Sequence, residues 1–432
     1  MKRYRKVLIV CALLIAGLTA TFLSLRCDVK GDRVCYDNQT GSFKREKNAS
    51  LKVQVPTQII ADQLTAVWTE TYPEIPLEVW AEDALSLEAL QSDFSSDVVY
   101  VNQEEAVYFM SKFKDMDRKA HEVIGTRIPI GIQDAINKQG FFIAQNTLKG
   151  PGFYVNKTKL DAMDLTLEDI SSFERIQAKE DIILGHLEYS YPLSFKDQYT
   201  FYHNLTAGKW ALNFKNDGDN PDFDSVEFLE SLQFIEFLSS MTLSHTPDTK
   251  AEDLAYIYES AFFEGKSLFA FTSDLDLLNQ YSNKTGDEYL MIPFPSYKGH
   301  HLGQVVDVKG YAVSSTSLYP SASTEVIRIL RSPEFVNLFS DPEEVAIYSL
   351  NFIDELGEGY DSRIDAMMHG DAMTLLALKE NPSIRSSDLY SEVDLMPILM
   401  ELYDGTLDAS GAQEAIVKLA IEWYESKVEV TE

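Results

Sequence analysis

The chain has 432 residues, 45% of them hydrophobic, which exceeds one ordinary core and predicts two or three domains. Its formal charge of −31, from 68 acidic against 37 basic residues, makes nucleic acid a poor partner and is most simply a surface and solubility property. Three cysteines are too few for a disulfide-built scaffold.

In chain order, Lys2, Arg3, Arg5 and Lys6 precede an uncharged run from Val7 to Leu25 that is long enough to span a bilayer. Residues 1–26 are therefore expected to be a signal peptide or an N-terminal membrane anchor. A signal's apolar core is usually about 7 to 15 residues, so a retained anchor stands beside a cleaved leader. Basic residues on the amino side place that end in the cytoplasm, so the body is expected on the extracytoplasmic face, or secreted if the leader is cleaved. Cys27 and Cys35 enclose a hairpin-like span around Gly31 and are a disulfide candidate in an oxidising compartment. Residues 27–50 are expected to be a tether, because Asp37 to Ser50 is polar, mixed in charge and without periodicity.

From Leu51 the pattern alternates. Leu51–Val55 predicts a strand, Gln58–Thr71 a helix with Ile60, Leu64, Val67 and Trp68 on one face, and Ile75–Trp80 and Asp97–Val101 two further strands. Strands alternating with helices predict a parallel sheet with right-handed crossovers. After Phe141–Ala144, Lys149-Gly150-Pro151-Gly152 is a breaker cluster suited to a hinge into a second lobe. That lobe is expected to hold helices over Thr166–Gln177, near Asp197–Leu205 and over Ser225–Met241, the last with Val226, Leu229, Leu232, Phe234, Ile235 and Leu238 inward. The return crossing is placed near Tyr297–Lys309, a helix at Ser321–Leu330, and a helical tail from Pro342. In that tail Ile364, Met367, Met368, Ala372, Leu375 and Leu376 recur at helical spacing, and Ser410–Gln413 reads as a capping box before Ala415, Ile416, Leu419 and Trp423. The fold class is thus α/β, with two lobes: 51–150 plus 305–340, and 151–304 plus 341–425, the C-terminal helices partly bridging them. A hinged cleft between the lobes is expected.

The stretch from Tyr258 to Ser321 is the most informative. A helix carrying Ala261, Phe262 and Phe263 is expected to stop at Glu264-Gly265, where glycine accepts a left-handed conformation. Leu268–Phe271 then reads as a buried strand, and Thr272-Ser273-Asp274 offers caps to a helix starting near Leu275. A helix start at a strand's carboxyl end is where open α/β sheets bind ligands.

These elements also resemble a family signature. Phe262 to Lys266 (F-x-x-G-K), Leu268 to Thr272, Met291 to Pro295 and Lys309-Gly310-Tyr311 come in the order found in extracellular solute-binding proteins of ABC importers, in the branch with maltodextrin-binding proteins. Phe153 to Lys157 and Leu165 to Ile170 resemble its Y-N-K-D turn and T-W-x-E-L helix start, and Ser96 to Tyr100 its P-D-V-V strand. The resemblance runs from about Leu51 to Glu425. It implies a type II periplasmic-binding-protein fold, a carbohydrate ligand held between the lobes, and ABC permease subunits as partners of a monomeric receptor. It also implies lipidation on a cysteine near Cys27, although Arg26 stands where a small residue is usual.

Catalytic patterns are missing: no Walker loop, GxSxG, HExxH, GxGxxG or CxxC occurs, and His300-His301 lies in a polar loop without metal-ligand spacing. No enzyme activity, metal or cofactor is expected. Sugar binders stack rings on aromatics and bond hydroxyls with carboxylates and amides. Here Val101 and Leu275 stand where maltodextrin binders tend to present tryptophan, and Lys149 takes a place often acidic. The remaining polar candidates for ligand binding are Thr57, Gln58, Asn102, Gln103, Glu104, Lys149, Tyr199, Ser273, Asp274, Asp307, Lys309 and Tyr390. Glu104 and Asp274 would accept hydroxyl or amine donors, and Tyr199 or Tyr390 would give a stacking face. Missing tryptophans keep open a receptor for a peptide, amine or polyol, and a surface interaction or sensing protein derived from such a receptor.

Overall fold

The computed structural model describes residues 34–102, 106–115, 118–125, 144–149, 152–188, 223–241, 261–272, 275–299, 307–338, 344–346 and 392–429. The apolar segment Val7–Leu25, Cys27, and the helices predicted near Asp197–Leu205 and over Ile364–Leu376 lie outside these residues.

From the amino end, β1 (Tyr36–Asp37) and β2 (Ser42–Phe43) precede β3 (Leu51–Val55), α1 (Gln58–Thr71), β4 (Leu77–Ala81), α2 (Leu87–Gln91) and β5 (Val98–Asn102). A 3-10 turn at Val107–Lys112 and α3 (Arg118–Ile124) come next, then β6 (Ala144–Lys149) and β7 (Gly152–Asn156). Three short helices follow, α4 (Lys157–Ala162), α5 (Phe173–Ala178) and α6 (Glu180–Leu184), and then α7 (Val226–Ser240), β8 (Phe269–Thr272), α8 (Leu275–Thr285) and β9 (Tyr289–Ile292). The chain continues through β10 (Asp307–Val313), α9 (Pro320–Leu330), α10 (Pro333–Val336), β11 (Glu344–Ala346), α11 (Met396–Tyr403) and α12 (Ala409–Glu429).

Two sheets organise these elements. The first has the order β11-β6-β10-β5-β3-β4, and the second β8-β7-β9. In the first, β3 runs parallel to β4 and β5, as the βα pattern predicts, but β10 is antiparallel to β5 and β6, and β11 to β6. The sheet is therefore mixed rather than parallel. The cause is the return of the chain: Asp307 opens β10 opposite Lys149, the last residue of β6, and Glu344 opens β11 opposite the same residue. A strand entering at the edge where β6 ended must run back along it.

Each sheet has its own core. In the first lobe, Thr57 caps α1 by accepting from the Ile60 N–H at 3.4 Å, and Ile60, Ala61, Leu64 and Trp68 face Val53, Val55, Tyr311 and Val326. Burying a side chain such as Leu64 contributes roughly 1.5–3 kcal/mol. Val99, Val101 and Ala312 on the opposite face pack against Leu90, Phe113 and their neighbours, so the sheet is covered on both sides. In the second lobe, Phe153, Phe173, Phe234 and Phe294 meet with ring centroids 4.9–6.5 Å apart, and α7, α11 and α12 close over them through Leu238, Leu399, Ile416 and Trp423.

Several expectations are corrected. The segment from Val34 to Ala49 is not a free tether: β1 and β2 pair, Phe43 has no exposed surface, and the segment is bonded along α9. The hydrophobic Val34, Phe43 and Ala49, spaced without a helical or strand period, carry the docking. Thr166–Gln177 is broken into a 3-10 turn at Glu168–Ile170 and α5, because the Ser172 hydroxyl accepts from the Arg175 N–H and starts a new helix. Val226, expected inward on α7, is 68% exposed, since it is the first residue after the Ser225 cap. The tail after Pro342 contains a strand, β11, which joins the first sheet although this part of the chain was assigned to the second lobe. The helix before Trp423 starts at Ala409, one residue before the predicted cap Ser410. Asp408 accepts from the Gly411 N–H at 2.7 Å, and Gln413 instead donates to the Phe223 and Ser225 carbonyls.

Candidate functional site

Strand directions bring the predicted residues together. The carboxyl ends of β3, β4, β5 and β6 and the amino ends of β10 and β11 share one edge of the first sheet, because Val55 pairs with Ala81, Asn102 with Lys309, and Lys149 with both Asp307 and Glu344. Thr57, Asn102, Lys149, Asp307 and Lys309 therefore stand along a single edge. In the second sheet the carboxyl ends of β8 and β9 lie beside Gly152, which pairs with Thr272, while Ile292 pairs with Phe153. Only two residues separate Lys149 from Gly152, so the two edges approach within about 10 Å at this crossing. The backbone there is tight: a Cβ on Gly152 would meet the Met291 Cε at 2.7 Å and the Tyr154 ring at 2.8 Å.

The predicted residues differ in what they offer. Thr57 is occupied as the α1 cap, and the exposed Gln58 donates to Asp62 at 2.8 Å on its own helix. Asn102, Lys149 and Lys309 are half-buried at the edge. Gln103, Glu104, Tyr199, Ser273, Asp274 and Tyr390 lie outside the described residues.

Two further residues at this edge were not among those candidates. Trp80, one residue from the end of β4, is half-buried and donates its indole N–H to Glu82 at 3.1 Å. The Glu82 N–H in turn donates to the Val55 carbonyl at 2.9 Å, which holds the Glu82 backbone beside the end of β3. Beside Trp80 in register, Gln54 is buried; its amide donates to the Asp83 carbonyl at 2.7 Å and its Oε1 has no hydrogen-bond partner. Ile59, in the first turn of α1, is 61% exposed at the same edge. An aromatic ring, a carboxylate and an exposed apolar side chain thus stand together at this edge. In the sequence Trp80 is the last residue of the strand predicted over Ile75–Trp80; in the structure β4 extends one residue further, to Ala81.

Among the described residues, no group of three or more His, Cys, Asp or Glu could hold a metal ion. A cavity of about 420 Å³ bounded by Lys52, Glu78, Asp97 and Leu318 lies at the opposite, amino-terminal edge of the first sheet, away from the crossing. There the Asp97 carboxylate accepts from the Lys52 N–H at 2.9 Å and the Ser317 hydroxyl at 2.6 Å, which is structural work. Cys35 is buried and disulfide-bonded. Its predicted partner Cys27 lies outside the described residues. No helix among the described residues is long and apolar enough to cross a membrane.

By sequence, no protein-family model and no curated protein matches the chain. Solved structures do match it in fold. Maltodextrin binding protein MalE1 from L. casei BL23, without ligand, is similar with a TM-score of 0.57 and 14% identity, over 87% of this chain and 99% of that one. A cyclo/maltodextrin-binding protein complexed with maltotetraose is similar with a TM-score of 0.60 and 15% identity, over 87% of this chain and 97% of that one. The two-lobed α/β fold is thus what this chain shares with these maltodextrin-binding proteins.

Proposed function

We propose that the chain is an extracytoplasmic solute-binding receptor of an ABC importer. It captures a carbohydrate, an oligosaccharide or similar solute, between its lobes and delivers it to permease subunits as a monomer held to the membrane by its N-terminal segment. The observation that carries this reading is the convergence of strand ends from both sheets on the Lys149–Gly152 crossing, where a ligand bridging the lobes would draw them together. The second of the similar structures holds maltotetraose, which supports a chain-like ligand. So does the length of the edge. From Trp80 on β4 to Lys149 on β6 there are four strand spacings, about 19 Å, the reach of a short oligosaccharide rather than of one ring. Binding is read as the whole activity, with no chemistry performed on the ligand.

The test is a titration of the purified chain with linear saccharides, repeated on Asn102→Ala and Trp80→Ala. Both variants should keep the unfolding temperature of the unaltered protein. Trp80→Ala should weaken binding about tenfold or more, a loss on the order of 1.4 kcal/mol, in line with one aromatic contact. Saccharide binding untouched by both substitutions would remove this edge from the site.

A further inference from the structure

Arg331 follows the last residue of α9 and has no exposed surface, yet its Nε, Nη1 and Nη2 are all without a hydrogen-bond partner. A buried guanidinium in that state carries a desolvation cost of several kcal/mol unless a counter-charge meets it. Burial lowers its pKa to about 9, so the group is still a cation at neutral pH. Among the described residues, the charges around it do not neutralise it. Glu325 on the same helix is fully engaged, accepting from Arg328 twice, from the Tyr72 hydroxyl and from the Phe43 N–H. It also lies six residues away, on another side of the helix. Tyr311 on β10 is within electrostatic reach, but burial pushes its pKa well above 10.0, so it is a neutral donor. On α3, which packs against α9, the ionisable His121 and Glu122 are exposed. The carbonyl end of α9 supplies a partial negative charge of about half a unit, not a full one.

We propose that Arg331 is the centre of an internal site for a small monovalent anion, of the halide class, enclosed in the first lobe behind the ligand edge. Tyr311 stands two residues from Lys309, so the site lies beneath the carboxyl ends that face the second lobe. The ion supplies the missing counter-charge and is small enough to leave the guanidinium shut off from solvent. Water alone would satisfy the donors but leave the charge unmatched.

Crystals of the unaltered protein grown in bromide test this without any substitution. An anomalous peak within hydrogen-bond range of the Arg331 guanidinium is expected. A side-chain carboxylate or only water at that place would overturn the proposal. In solution, replacing gluconate by chloride at constant ionic strength should raise the unfolding temperature of the unaltered protein, with stability growing with the logarithm of chloride concentration above saturation onset. Arg331→Met should remove that dependence while folding as well in gluconate as the unaltered chain does. Equal responses in both proteins would contradict a site at Arg331.

Discussion

Glu325→Gln removes one charge at the place where the amino-terminal segment docks, and its cost can be worked from the bonds. The Glu325 side chain is fully buried. Its Oε2 accepts from the Phe43 N–H at 2.7 Å and from Arg328 Nε at 2.9 Å, and its Oε1 from the Tyr72 hydroxyl at 2.7 Å and Arg328 Nη2 at 2.7 Å. A glutamine amide must present its NH₂ group to one of these pairs. The milder choice is the Oε1 position, where the Tyr72 hydroxyl can turn to accept and only Arg328 Nη2 loses its partner. Breaking a buried ion pair costs about 3–5 kcal/mol. Because the Arg328 side chain is 24% exposed and can recruit water, the lower end applies, about 3 kcal/mol. For a lobe of this size that lowers the unfolding temperature by roughly 6–12 °C. Calorimetry gives the shift, and hydrogen exchange reads the Phe43 amide in β2, which should lose protection before the amides of β3. A shift under about 2 °C with Phe43 exchange unchanged would refute the claim that this carboxylate holds the segment to α9.

Tyr72 should give the alkaline counterpart. Its pKa is raised from 10.0 to about 12, chiefly by burial and then by the neighbouring Glu325. Its contribution is therefore complete below pH 10 and is lost as pH rises through about 12. Measured from pH 9 upward, the unaltered protein should lose on the order of 2 kcal/mol more than Tyr72→Phe over this window, and parallel curves would remove Tyr72 from the alkaline transition. Gly265 holds φ +74° at the turn after Phe263, where the Lys266 N–H donates to the Ala261 carbonyl at 2.8 Å. Gly265→Ala should cost about 1–2 kcal/mol in denaturant unfolding, matched by Gly286→Ala at φ +76°, where the added methyl meets open space. A much larger loss at Gly265 would point to the Lys159 side chain, 3.1 Å from the added carbon, rather than to backbone strain.

The lobes were legible because their elements are local. Leu51–Val55 and Gln58–Thr71 fall where the strand pattern and the helical spacing of Ile60, Leu64, Val67 and Trp68 put them, and Gly265, expected to end a helix, takes its positive φ at the end of a turn over 261–265. The run after Gly265 likewise gives β8, shifted by one residue. What could not be read depends on partners distant in sequence. Phe43 and Glu325 are 282 residues apart, and nothing in the polar composition of Asp37–Ser50 reveals that α9 carries Ser321 and Glu325 for it. The direction of β10 and the placement of β11 follow from where the chain re-enters the sheet, which no periodicity encodes. Strand ends in the sequence put Asn102, Lys149, Asp307 and Lys309 along one edge of the first sheet, where the register has them. Thr57 shows how a capping residue at such an end is spent on its own helix. Trp80 stands at this edge through its strand pairing, Gln54 being its neighbour on β3 and 26 residues away in sequence.

The most direct measurement is calorimetric titration of the unaltered, oxidised protein with linear saccharides of increasing length, run beside polyols, amines and short peptides. A receptor whose site spans the strand ends should bind one saccharide per chain. Affinity should rise with length until the row from Trp80 to Lys149 is filled and then level off. Ligand at about 100 times its dissociation constant should add roughly 2.7 kcal/mol to the unfolding free energy. Heat and stabilisation from a peptide, amine or polyol alone, with none from any saccharide, would contradict the carbohydrate reading, and silence across the whole panel would contradict the receptor itself.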